Sequence, residues 1–126
     1  MSLRSPLAAV RGLGSAKEGV HHWWAQRLTA LALVPLALWF VISLIGVAGE
    51  GHDAVLNWVG SPIVAVLLIA LIVAVFHHAQ LGMQVIYEDY IHSTWLKMAA
   101  DLGTKALCFL LGVTGILAVV RIALGS

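Results

Sequence analysis

The stretch "FHHAQLGMQVIYEDY", Phe76–Tyr90, opens inside an uncharged run that reaches from Ala54 to Tyr87 and closes on two carboxylates and a tyrosine. A hydrocarbon core of ~30 Å is crossed by about 20 helical residues, so this run is long enough to span a bilayer. Ser61 and Pro62 supply an N-cap and a first helical position, which sets the helix over about 62–88. Two imidazoles, His77 and His78, then lie within the span. With a rise of ~1.5 Å per residue, His78 sits roughly 16 Å from Asp89, near mid-bilayer. A polar side chain at that depth needs a partner, a wet cavity or a metal to offset its desolvation.

The rest of the chain has the same character. Of its 126 residues 61% are apolar and 10% charged, against roughly 25% charged in an average soluble domain. The expected fold class is all-α: an integral membrane protein with three transmembrane helices over about 28–49, 62–88 and 94–124. The first is uncharged from Leu28 to Gly49 and contains Pro35, which membrane helices tolerate better than soluble ones. The third starts at Ser93 and Thr94, carries an Asp101–Lys105 pair at i,i+4 spacing, and crosses the bilayer from about Lys105 to Arg121. Residues 1–27 read as a cytoplasmic arm, 28–124 as one membrane domain, and Ala54–Gly60 as an interfacial piece anchored by Trp58.

Charge placement sets the expected orientation. Arg4, Arg11, Lys17, Arg27, Lys97 and Lys105 lie in the N-terminal segment and the second connection, and the first connection has no lysine or arginine. The positive-inside rule therefore puts the N-terminus in the cytoplasm of a bacterium, at the inner membrane. Arginine and serine with little acid in the first 20 residues leave a mitochondrial inner-membrane location as the alternative. A net charge of +1 makes no case for a nucleic-acid partner. Cys108, in an apolar run, reads as an inert thiol.

On a helical wheel His78, Gly82 and Asp89 share one stripe, and His77 points about 100° away. Spacing leaves two readings open. In one, His78 bonds a neighbouring helix and Gly82 lets the backbones approach. In the other, His78 ligates the iron of a flat macrocycle, for which Gly82 leaves clearance. Haem of the six-coordinate kind needs a second axial ligand from another helix. The first span and the intramembrane stretch of the third, about Lys105 to Arg121, contain no histidine or methionine, and Met83 shares a helix with His78. The second ligand would therefore belong to another polypeptide or another copy.

The pattern His78-x3-Gly82-x6-Asp89-Tyr90, together with Gly19-Val20-His21-x5-Arg27 leading into the first span, resembles the small haem-containing membrane-anchor subunit of succinate dehydrogenase. The resemblance implies that His78 is one axial ligand of haem b, with the other on a larger cytochrome subunit. It implies that Tyr90 hydrogen-bonds a ubiquinone carbonyl close to the docked iron-sulfur subunit, and that Arg27 and His21 meet the haem propionates. Asp89 is its candidate for proton delivery, beside the simpler reading of a solvated helix-end carboxylate. A flavoprotein subunit would complete the assembly, and fumarate reductase is a close relative. His22 and Glu88 read as surface groups, and Trp23, Trp24, Trp58 and Trp95 as interfacial belts.

Two other classes of function stand beside this one. A proton or metal-ion transporter subunit would use His77, His78 and Asp89 as a relay along the second span. A structural assembly protein would use its polar residues only to fix helix packing.

Overall fold

The structure, a computed structural model, describes residues 16–125, with side chains from Val20 onward. All regular structure among the described residues is helical: α1 (Ala16–Ala48), α2 (His52–Gly60), α3 (Pro62–Tyr90) and α4 (Thr94–Ala123). Three of these, α1, α3 and α4, are long and apolar enough to cross a membrane. The protein is thus all-α with three candidate spans, as its composition implies.

Local chemistry explains where the helices stop. Gly51, at φ 100°, makes the turn from α1 into α2 in a backbone region that side chains disfavour. Pro62 opens α3 at a position whose N–H would be unbonded in any case, and Ser61 before it is extended, as the proline ring requires. The Ser61 hydroxyl makes no capping bond, so its contribution is conformational. At α4 the Ser93 hydroxyl accepts from the Leu96 amide at 3.4 Å.

Two expectations need adjustment. The first helix does not begin at Leu28 but runs unbroken from Ala16, because polarity ends a membrane run without ending a helix. Part of the segment assigned to an arm is therefore a helical extension of the span, and Arg4 and Arg11 lie outside the described residues. The piece before Pro62 is a full helix, α2, and Trp58 packs inward with ring centroids 6.0 Å from Trp39 and 6.2 Å from Phe40. Trp23, Trp24 and Trp95 are exposed. Pro35 sits inside α1 without interrupting it.

Helix α3 is the middle of the row. It packs along α4 on one side and α1 on the other, while among the described residues α1 and α4 do not approach each other. The short α2 touches all three at one end. Its Trp58 and Val59 join Trp39 and Phe40 around a core of Ala65, Leu68 and Val119. Glycines set the α3–α4 spacing: a Cβ on Gly115 would stand 3.3 Å from Ile72 Cδ1, and one on Gly112 3.7 Å from Phe76 Cδ2. Leu31, Ile42 and Ile45 of α1 and Phe109 of α4 remain more than two-thirds exposed, with Leu31 and Phe109 at 69%. Apolar surface of that kind is stable only against acyl chains or another membrane subunit.

Candidate functional site

Contacts fix the relative directions of the helices. Thr29 meets His78, and one turn back along α1 Gln26 lies 4.0 Å from where a Gly82 side chain would begin, so α1 and α3 are antiparallel. Tyr87 meets Thr104 while Phe76 meets Gly112, so α3 and α4 are antiparallel as well. Arg27, Asp89, Tyr90, Lys97 and Lys105 consequently gather at one end of the row, and Glu50, Asp53 and Arg121 at the other.

His78 is half-buried and faces α1. Its Nδ1 lies 3.0 Å from Thr29 Oγ1, the one side-chain hydrogen bond between α1 and α3 among the described residues. Thr29 Oγ1 also lies 2.7 Å from the Ala25 carbonyl and 3.0 Å from that of Gln26. Nε2 of His78 has no hydrogen-bond partner among the described residues. Along the same stripe of α1, at i−3 and i−7 from Thr29, Gln26 Oε1 and His22 Nε2 are enclosed without hydrogen-bond partners among the described residues. In a membrane span each such atom is costly.

His77 faces the other way. It is exposed and lines an open groove of about 340 Å³ between α3 and α4, with Gln80, Lys105, Cys108, Phe109 and Gly112 among its neighbours. Cys108 is a free, half-buried thiol in this wall. Nearer the helix end, Gln80 donates to Gln84 and Gln84 to Glu88, both at 3.3 Å. A second cavity of about 210 Å³ is bounded by Tyr87, Glu88, Lys97 and Asp101. The Asp101–Lys105 pair closes at 3.1 Å, as its spacing predicts.

The remaining expected site residues lie apart from His78 within this chain. Tyr90 is 77% exposed, and Asp89 is exposed beside it at the end of α3. Arg27 is exposed with its guanidinium 5.2 Å from the Trp23 ring centroid, and two residues, about 200°, separate it from Thr29 around α1. His21 is exposed too, while its neighbour His22, expected at the surface, is the one turned inward. The sequence reading missed Thr29, Gln26 and His22 as one surface. Their i, i+4, i+7 spacing along α1 was the available signal.

No group of three or more His, Cys, Asp or Glu converges among the described residues. His78 could give an iron one nitrogen, at Nε2, and a further ligand would have to come from elsewhere.

A row of three apolar helices with uncovered faces is the build of a small multi-pass membrane protein. Residues 1–119 match the family of succinate dehydrogenase/fumarate reductase transmembrane subunits, and the chain belongs to that family. It is 33% identical over 116 residues to the succinate dehydrogenase hydrophobic membrane anchor subunit of Rickettsia bellii, covering 92% of this chain and 93% of that one. It is 30% identical over 95 residues to the anchor subunit of the same description from Paracoccus denitrificans, covering 75% of this chain and 74% of that one. The succinate dehydrogenase membrane anchor subunit of Reclinomonas americana is 31% identical over 80 residues, covering 60% of this chain and 66% of that one. No solved structure gives a significant match.

Proposed function

We propose that this chain anchors the flavoprotein and iron-sulfur subunits of a succinate dehydrogenase to the bacterial inner membrane and completes a haem b and a ubiquinone site at its boundary. Its N-terminus and the Tyr90 end of α3 face the cytoplasm in this reading, where the basic residues gather. The observation that carries it is His78: a half-buried imidazole inside α3, engaged at Nδ1 alone among the described residues, in a chain that belongs to this family. A second membrane subunit supplies the opposite axial ligand. Haem, once bound, supplies a one-electron centre beside the quinone site.

The chain's own groups have distinct tasks. His78 offers Nε2 as a ligand, and Gly82 leaves that stretch of α3 without a side chain. Arg27 and His21, exposed on α1, pair with propionates presented from the partner side; a guanidinium matches a carboxylate in bidentate geometry. Tyr90 donates its phenol hydrogen to a quinone carbonyl oxygen, which gains negative charge on reduction. Asp89 next to it passes protons from the cytoplasmic surface. None of these residues forms a catalytic centre alone, so the chain acts as a subunit of an oxidoreductase.

A second reading has an observation of its own. The Thr29–His78 bond and the approach of Gln26 to Gly82 are what a purely packing role would produce. The reduced-minus-oxidised visible spectrum of the purified complex separates the two. A b-type band lost or shifted in His78→Ala and retained in His77→Ala supports the cytochrome reading; a band indifferent to position 78 overturns it. The relay reading needs His77, His78 and Asp89 on one path, whereas His77 faces the α4 groove and His78 faces α1.

A further inference from the structure

We infer that Thr29 is the positioning residue for His78, accepting its Nδ1–H so that the imidazole is held as the tautomer with its lone pair on Nε2. The inference rests on the haem reading of His78 and adds to it a residue that determines how the ligand behaves.

The argument is a count of hydrogens. A threonine hydroxyl has one hydrogen to give, and backbone carbonyls can only accept. Thr29 Oγ1 lies 2.7 Å from the Ala25 carbonyl oxygen and 3.0 Å from that of Gln26, so its hydrogen is committed to its own helix. Back-bonding of this kind to the carbonyl four residues earlier is a common arrangement for threonine in helices. What Oγ1 presents to His78 at 3.0 Å is then a lone pair, and the proton between them belongs to Nδ1. The reverse assignment would leave two oxygens 2.7 Å apart with no hydrogen between them. A neutral imidazole with its proton on Nδ1 has its lone pair on Nε2.

The choice of acceptor has an electronic consequence. Ligating histidines are oriented and tuned by the group that takes their other N–H. A hydroxyl already spending its hydrogen on a carbonyl is a better acceptor than a lone one, yet far weaker than a carboxylate. Such an acceptor would leave the ring less electron-rich toward a bound iron than a carboxylate partner would. Removing the acceptor reduces the ring's donation further, destabilises the ferric form relative to the ferrous form, and frees the ring to rotate.

The test uses the complete membrane-bound complex with Thr29→Val, which keeps shape and loses the oxygen, and Thr29→Ser, which keeps the oxygen. Expected for Thr29→Val are a retained b-type band, altered g-values in the low-spin ferric paramagnetic resonance spectrum, and a more positive haem midpoint potential. Thr29→Ser is expected to restore both readouts to the parent values. If Thr29→Val fails to assemble, Thr29→Cys carries the same expectation, since sulfur is a poor acceptor of similar size. Parent-like g-values and potential in Thr29→Val, alongside loss of the band in His78→Ala, would overturn the role of Thr29 and leave the haem reading standing. A band and g-values untouched by His78→Ala would overturn both.

Discussion

Tyr87 Oη and Thr104 Oγ1 meet at 2.6 Å across the seam between α3 and α4. Three residues further on, Tyr90 projects from the end of the same helix, 77% exposed and without a hydrogen bond among the described residues. One tyrosine fastens the fold and the other is free for a ligand. Tyr87→Phe leaves the half-buried Thr104 hydroxyl without its partner and is expected to cost about 1 kcal/mol. The midpoint of thermal inactivation of the assembled complex should fall in Tyr87→Phe and stay put in Tyr90→Phe.

The proposed quinone role divides the same pair. With Tyr90→Phe, quinone reduction by succinate is expected to drop about tenfold or more, as when a donor to a developing oxyanion is removed. Succinate oxidation by an artificial dye, which bypasses the membrane site, should be unchanged. Equal quinone turnover in the variant and the parent would take Tyr90 out of the site.

Packing between α3 and α4 depends on missing side chains. Gly115→Leu pushes new carbons into Ile72, whose Cδ1 would already stand 3.3 Å from a Cβ, and overpacking of this kind costs about 1–3 kcal/mol. Gly115→Ala is expected to be milder, since the opposing atom is the tip of a flexible side chain. The amount of assembled complex per membrane protein, followed by its flavin, should rank parent, Ala, Leu.

Lys105 is half exposed, and its bond to Asp101 is an i,i+4 surface pair of the sort worth about 0.3–0.5 kcal/mol. Lys105→Met is therefore expected to leave the thermal midpoint within measurement error. A clear loss would mean that Lys105 serves the groove beside His77 and Cys108 rather than the ion pair.

Much of the architecture is legible in the chain because membrane spans are written in composition. The uncharged runs, the Ser61–Pro62 start and the Asp101–Lys105 pair all read directly. Helix ends controlled by polarity do not: α1 continues to Ala16 because nothing between Ala16 and Leu28 forbids helix. Of the candidate site, the divergence of two adjacent histidines was legible. Register separates His78 from His77, and the two do face different neighbours. The residues of α1 that meet α3 were not found, since which face of an apolar helix turns inward depends on a partner helix that a single helical wheel does not contain. His22, read as a surface group, is the clearest case.

Because the backbones of α1 and α4 do not approach each other among the described residues, α3 is the long element that joins them. During synthesis α1 enters the bilayer with no long helix of its own chain to lean on until α3 follows. Packing between long helices is thus deferred to the second half of translation. Lesions should weigh unevenly as a result: damage in α3 severs both seams, while damage in α1 spares an α3–α4 hairpin that is still intact.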